Sequence, residues 1–145
     1  MESKLYIAYG SNMNIEQMKH RCRTAKVVTS MYLDNYKLRF KGDKQSAVAT
    51  IEPSSDDLVP ITLWEIYPED EASLDIYEGY PRLYRKENLR LKLGKRTVSA
   101  MTYIMNADTL PYEQPSEFYF RTILEGYISA GFDPKLLHQS VAENC

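Results

Sequence analysis

Two short stretches of the sequence combine residue types that could do chemistry. The first is Tyr9-Gly10-Ser11-Asn12, which follows a run of apolar and aromatic residues. Glycine and short polar side chains in such a turn let backbone amides approach a ligand and form an anion-binding nest, although the same residues also make ordinary loops. The second is Glu78, which lies among aromatic residues and could act as a general acid or base.

Glu78 lies at the predicted end of a helix that begins at Pro68. The negative end of the helix dipole and the neighbouring rings of Tyr77 and Tyr80 both favour a protonated carboxyl group, so we expect its pKa to be raised toward neutrality. Asp75, three residues earlier, could raise that pKa further as a like charge, or could lie at the surface. The alternative for Glu78 is a solvated acid in the last helical turn.

Other residue types that often carry chemistry give weaker signals. Ser11 lacks the G-x-S-x-G pattern of a nucleophile elbow. His20 and His138 have no cysteine or acidic partner at ligand spacing, so we predict neither a metal site nor a cofactor. Glu65 lies within a predicted strand and could point inward, although an acid in a strand more often faces solvent. Tyr103, in a later strand, could face a pocket and orient a ligand.

The elements that must position these residues are short strands and helices without the strict βαβ alternation of a doubly wound sheet. We expect about six strands, at 5–9, 26–40, 47–51, 61–67, 83–93 and 97–105, and four helices that begin near 15, 68, 117 and 134. The hydrophobic alternation changes parity at 34–35, which predicts a turn or bulge there. A polar segment at 53–57 predicts a loop, and Leu74 and Tyr77 are expected to form the buried face of the second helix. The predicted fold class is α+β, with a curled, mostly antiparallel or mixed sheet.

Length and composition limit the alternatives. A chain of 145 residues, 43% hydrophobic and 26% charged, suits a single domain over residues 1–145. A net charge of −2 with interleaved acidic and basic residues gives no reason to expect nucleic acid. The two cysteines, Cys22 and Cys145, are too few for a disulfide framework. No apolar segment is long enough for a signal sequence or membrane span, so we expect a cytoplasmic protein.

With Tyr-Gly-Ser-Asn after the first strand and the hexapeptide LDIYEG at 74–79, the sequence resembles the γ-glutamylcyclotransferase-like (AIG2-like) family from about Tyr6 through Met105. The resemblance implies a small mixed β-barrel flanked by helices. It also implies a metal-independent enzyme that cyclises the γ-glutamyl group of a small-molecule substrate to 5-oxoproline and releases an amino acid or amine. The loop Tyr-Gly-Ser-Asn favours the γ-glutamyl amino acid branch over the γ-glutamylamine branch, which usually has Tyr-Gly-Thr-Leu.

The resemblance also implies a role for each motif residue. Glu78 would be the catalytic acid and base, Tyr103 would be a pocket tyrosine, and the γ-glutamyl portion would be held by Tyr9, Gly10, Ser11 and Asn12. Two alternatives remain: an enzyme that removes a γ-glutamyl protecting group in one pathway, and a module that binds such a group without turning it over. The scattered tyrosines allow a homodimer without establishing one.

Overall fold

The computed structural model describes residues 2–106 and 110–144. Within that part of the chain, five strands form one sheet in the order β2-β3-β1-β5-β4. The strands are β1 (Lys4–Ala8), β2 (Lys26–Lys41), β3 (Val48–Ile66), β4 (Tyr84–Leu93) and β5 (Arg96–Met105). β1 is antiparallel to β3 and parallel to β5. The sheet is therefore mixed, and the predicted α+β class is confirmed.

Four α-helices flank the sheet: α1 (Ile15–Arg21), α2 (Pro68–Glu78), α3 (Glu117–Ser129) and α4 (Pro134–Ala142). Their starting points match the predicted ones because the capping residues act as expected. Asn14 accepts a hydrogen bond from the Gln17 amide at 3.1 Å, and Ser116 accepts one from the Tyr119 amide at 3.1 Å. No helix in residues 2–106 and 110–144 is long and apolar enough to cross a bilayer.

β2 and β3 form one long hairpin rather than several short strands. β3 has 19 residues, and the two segments predicted at 47–51 and 61–67 are its two ends, so the strand count is five instead of about six. The segment predicted as a loop at 53–57 instead lies within β3 and is mostly exposed. Residues 54–57 have no partner in the register and bulge opposite Asn35, so the segment interrupts the pairing without ending the strand. The bulge predicted at 34–35 is confirmed by a register shift between Asp34 and Tyr36.

The sheet curls until the beginning of β3 meets β4 and β5. The Met105 amide donates to Thr50 Oγ1 at 3.0 Å, and the Tyr84 hydroxyl donates to the Ala49 carbonyl. These contacts involve side chains, so the sheet approaches a barrel without being closed by a backbone ladder. A small space remains between β1, the start of β3 and the β4–β5 hairpin.

The end of α2 differs from the predicted helix face. Leu74 is fully buried as expected, but Tyr77 is 43% exposed. The Tyr77 ring is covered instead by the guanidinium of Arg21, whose carbon lies 3.5 Å from the ring centroid. A cation on an aromatic face allows that ring to remain near the surface. The prediction for Tyr77 was wrong because it assumed an apolar neighbour.

α3 packs directly on the turn that follows β1. A Cβ atom placed on Gly126 would lie 2.9 Å from the carbonyl carbon of Met13 and 3.0 Å from the amide nitrogen of Asn14. Both neighbours are backbone atoms, so only a shift of the whole helix can relieve the contact. Gly126 is therefore required by the close approach of two backbone segments.

We expect Gly126→Ala to destabilise the protein by about 1–3 kcal/mol, because it overpacks this contact. Urea unfolding followed by circular dichroism measures the change. Ser129→Ala lies on the exposed face of the same helix and serves as the control. Equal unfolding midpoints for Gly126→Ala and the wild type would mean that α3 can move away freely.

Two buried tyrosines should respond in opposite ways to loss of the hydroxyl group. The Tyr127 hydroxyl is buried without a hydrogen-bond partner among the described residues, whereas the Tyr84 hydroxyl donates to Ala49. We expect Tyr127→Phe to stabilise the protein by up to about 1 kcal/mol and Tyr84→Phe to destabilise it by about 1 kcal/mol. Chemical denaturation of the two matched variants tests this, and a loss of stability in Tyr127→Phe would contradict it.

Candidate active site

A narrow cavity lies where the turn after β1 meets the end of α2. It brings together the residues that the sequence singled out, and its walls are formed by Tyr6, Tyr9, Gly10, Ser11, Asn12, Ala49, Glu78, Tyr84, Tyr103 and Tyr119. Its volume is about 20 Å³, which is room for a water molecule. A larger ligand therefore requires side chains at the wall to move.

The turn after β1, which we call the site turn (Gly10 to Met13), is a single 3₁₀ turn. The Met13 amide closes it by donating to the Gly10 carbonyl at 3.0 Å. Gly10 is closely packed here, because a Cβ would lie 3.2 Å from Ala49 Cβ, which is tighter than a usual contact. The first amides of a helical turn have no carbonyl partner within it, so they are suited to bind oxygen atoms of a ligand.

The side chain of Asn12 is held at both ends by the protein. Its Nδ2 donates to the Tyr6 hydroxyl at 2.8 Å, and its Oδ1 accepts from Arg21 Nη1. Its backbone carbonyl accepts from Trp64 Nε1 at 3.1 Å. Asn12 therefore fixes the site turn to β1, β3 and α1, and its side-chain amide is already engaged.

Glu78 is the last residue of α2, and Gly79 ends that helix in the left-handed conformation with φ 69°. Burial of the carboxyl group raises the pKa of Glu78 to about 7, while the positive charge of Arg21 opposes that shift. The predicted upward shift is confirmed. Asp75 is engaged elsewhere, since its carboxylate binds Lys86 Nζ at 3.0 Å and accepts from the Tyr103 hydroxyl at 2.6 Å.

Five tyrosines line the cavity together with Glu78. The Tyr9 hydroxyl donates to the Tyr103 carbonyl at 2.6 Å, and the Tyr119 hydroxyl accepts from the Ala49 amide at 3.0 Å. Burial raises the pKa of each wall tyrosine, so all five are neutral at physiological pH: Tyr6, Tyr9, Tyr84, Tyr103 and Tyr119. The wall is polar, and Glu78 is its ionisable group with a pKa near neutrality.

Several of these residues were missed by the sequence analysis. Tyr6, Tyr84 and Tyr119 could not be distinguished from the other tyrosines among the 12 in the chain, because the direction of each hydroxyl depends on the curl of the sheet. Arg21 was also missed. Its spacing of four residues from Gln17, whose Oε1 accepts from Arg21 Nη2 at 3.1 Å, was the available signal.

Ser11 lines the cavity with its hydroxyl already engaged, whereas the histidines and Glu65 lie outside the cavity wall. The Ser11 hydroxyl is hydrogen-bonded to the Tyr77 hydroxyl at 2.8 Å, and neither histidine lines the cavity. His138 packs against the Phe120 ring, with centroids 5.1 Å apart. The Glu65 carboxylate accepts from the Ser3 hydroxyl at 2.9 Å. Within residues 2–106 and 110–144, no group of three or more His, Cys, Asp or Glu is arranged to hold a metal ion.

Comparison with known proteins gives a consistent result. Residues 6–121 match the family described as gamma-glutamyl cyclotransferase, AIG2-like. A solved structure named gamma-glutamyl cyclotransferase is 25% identical, with coverage of 99% of this chain and 90% of that one and a TM-score of 0.83. An uncharacterised protein from Homo sapiens is also 25% identical, with coverage of 100% and 90% and a TM-score of 0.84. A yeast gamma-glutamyl cyclotransferase specific to glutathione shares the fold at 10% identity, with coverage of 98% and 99% and a TM-score of 0.63. No curated protein sequence matches the chain.

Proposed function

The chain belongs to the AIG2-like gamma-glutamyl cyclotransferase family, and from that premise we propose that it is an enzyme that cyclises a γ-glutamyl group to 5-oxoproline. The reaction would release an amino acid or an amine. The observation that carries the proposal is that the Glu78 carboxyl group and the backbone of the site turn line the same cavity. A carboxyl group whose pKa is about 7, that of Glu78, lies beside the backbone of the site turn.

The substrate of such a reaction carries its own nucleophile. The α-amine attacks the γ-carbonyl carbon, a bond forms between them to close a five-membered lactam, and the bond from that carbon to the leaving nitrogen breaks. One proton leaves the α-amine and one reaches the leaving nitrogen, so water is neither consumed nor produced. The protein must fold the substrate so that the amine meets the carbonyl, which is catalysis by proximity.

In this proposal Glu78 moves the proton. With a pKa of about 7, its carboxylate can take the one proton that the neutral α-amine loses as the ring closes and return it to the leaving nitrogen at neutral pH. Amides of the site turn would stabilise the negative oxygen that develops at the γ-carbonyl. Tyr9, Gly10, Ser11 and Asn12 would hold the γ-glutamyl portion, and Tyr103 would contribute to the wall around it.

We also propose a cytoplasmic enzyme that acts on small γ-glutamyl compounds and not on nucleic acid, and whose single domain spans residues 1–145. The Tyr-Gly-Ser-Asn sequence of the site turn favours γ-glutamyl amino acids as substrates. Because the cavity volume is about 20 Å³, binding would have to widen it by movement of wall side chains. A homodimer remains a prediction that sedimentation velocity tests.

A panel of γ-glutamyl compounds tests the proposal. The protein is incubated with γ-glutamyl dipeptides and γ-glutamylamines, and 5-oxoproline is measured by mass spectrometry. The matched control is the same dipeptide with an acetylated α-amine, which has no nucleophile and should give no product. In H₂¹⁸O, the 5-oxoproline should contain no ¹⁸O. Binding without product across the panel would favour a non-catalytic module, and labelled glutamate would indicate a hydrolase.

A further inference from the structure

Arg21 lies beside the cavity without forming its wall. It is the last residue of α1, and its guanidinium contacts three groups on different segments. Nη1 donates to Asn12 Oδ1, Nη2 donates to Gln17 Oε1 at 3.1 Å, and the guanidinium carbon lies 3.5 Å from the Tyr77 ring centroid. A planar guanidinium can make such contacts together, whereas the ammonium group of lysine cannot. One side chain thus joins α1, the site turn and the end of α2.

The two residues on other segments that Arg21 contacts, Asn12 and Tyr77, are each hydrogen-bonded to a residue of the cavity wall. Asn12, which accepts from Arg21, donates to the Tyr6 hydroxyl at 2.8 Å. Tyr77, whose ring lies under Arg21, is hydrogen-bonded to the Ser11 hydroxyl at 2.8 Å. The site turn is therefore held from two directions, and removal of the guanidinium would take one contact from the Asn12 side chain and one from the Tyr77 ring.

We propose that Arg21 is a positioning residue of this site, which holds the Asn12 carboxamide and the Tyr77 ring so that the site turn keeps one arrangement toward Glu78. This inference rests on the proposed function, because it gives Arg21, a residue outside the cavity wall, a role in the binding of the proposed substrate. Arg21 does not touch the reacting atoms and acts through its two neighbours.

The charge of Arg21 has a second, separable effect. It lowers the pKa of Glu78 against the larger effect of burial. The other titratable groups that interact with the Glu78 carboxyl are neutral tyrosines: Tyr6 in β1, Tyr9 directly after it, Tyr84 in β4 and Tyr119 in α3. Arg21 is thus the positive charge that acts on Glu78 among the described residues, and its contribution can be separated from positioning by a lysine variant.

Two variants and one control separate the effects. Arg21→Met removes both the charge and the planar contacts, Arg21→Lys keeps the charge alone, and Arg23→Met removes a charge from an exposed position two residues away. Two measurements need no substrate: the NMR titration of the Glu78 carboxyl carbon, and hydrogen exchange of the Asn12 side-chain amide. The third is the separation of KM and kcat with a substrate from the panel.

We expect both Arg21 variants to exchange the Asn12 amide at least about tenfold faster and to raise KM by about tenfold, because neither can hold Asn12 Oδ1 and the Tyr77 ring at the same time as the planar guanidinium does. In Arg21→Met the titration of Glu78 should move up by about one pH unit, whereas in Arg21→Lys it should stay within a few tenths. Arg23→Met should match the wild type in all three measurements.

Unchanged amide exchange in both Arg21 variants would overturn the proposal, and so would a KM within twofold of the wild type in both. If Arg21→Met does not fold, Arg21→Lys decides the question alone. If the wild type turns over no compound in the panel, the proposed function fails, while amide exchange still shows whether Arg21 positions Asn12.

Discussion

Glu78→Gln is expected to reduce the rate of 5-oxoproline formation by a factor of about 10² to 10⁴, the range typical for loss of a positioned acid or base. The amide has nearly the same shape as the carboxylic acid but can neither take nor return a proton. Since its position at the end of α2 is set by the left-handed Gly79, the backbone should not change. Steady-state kinetics with mass-spectrometric detection of product measure the effect.

The outcome separates catalysis from binding. Calorimetric titration with 5-oxoproline should give a dissociation constant within a few-fold of the wild type, because the site turn and the wall tyrosines are retained. Glu2→Gln, the same chemical change at an exposed position, should leave turnover unchanged. Turnover in Glu78→Gln close to that of the wild type would remove Glu78 from the mechanism and leave the fold unaffected.

Local sequence signals predicted the parts of the molecule that local chemistry decides. The N-cap residues Asn14 and Ser116 mark the starts of α1 and α3, because each satisfies an amide that would otherwise lack a partner. The parity change at 34–35 predicted the register shift between Asp34 and Tyr36, because side chains alternate strictly along a strand. Gly79 gave the end of α2 because the left-handed conformation favours glycine.

Features that depend on pairing between distant segments were harder to predict from the sequence. The segment at 53–57 has the composition of a loop, yet it lies inside a 19-residue strand because the residues on either side of 54–57 pair with β2, Pro53 with Tyr36 and Leu58 with Asp34. Antiparallel pairing supplies hydrogen bonds that no window of a few residues can reveal. In the same way, the place of β1 between β3 and β5 follows from the whole sheet, and that place decides which tyrosines surround Glu78.

In the candidate site, too, some residues could be predicted from local sequence and others depend on long-range packing. The motif residues Gly10 and Glu78 could be proposed from the sequence because a glycine turn after an apolar run and an acid among aromatic residues can do chemistry, and because both lie in motifs of the family that the sequence resembles. Arg21 and Tyr119 could not, since Tyr119 reaches the cavity from α3, and Arg21 comes to lie beside it from α1, only after the helices have packed on the sheet. The raised pKa of Glu78 was predicted correctly, but its main cause is burial by distant strands and helices, which the flanking residues only suggested.

Burial of Glu78 also makes a prediction about stability that does not involve catalysis. The pKa of Glu78 is about 7 in the folded protein, against 4.5 for an unperturbed glutamate. Below pH 4.5 the group is protonated in both states. As pH rises from 4.5 through 7, the unfolded state ionises first, so the folded state loses stability that was fully present at low pH. A difference of about 2.5 pKa units corresponds to about 3 kcal/mol.

Glu78→Gln should therefore be more stable than the wild type by about 3 kcal/mol at pH 8, and the gain should disappear near pH 4. The glutamine represents the protonated form at every pH, so it does not carry the ionisation penalty. Urea unfolding at pH 4, 6 and 8 measures the difference, with Glu2→Gln as the control that should show no such trend. Equal stabilities at pH 8 would mean that water solvates the Glu78 carboxylate. Glu78 would then not be a general base whose pKa is held near neutrality, even if some turnover is detected. The reason is that the raised pKa of Glu78 and the gain in stability of Glu78→Gln have the same physical origin, burial of the carboxyl group.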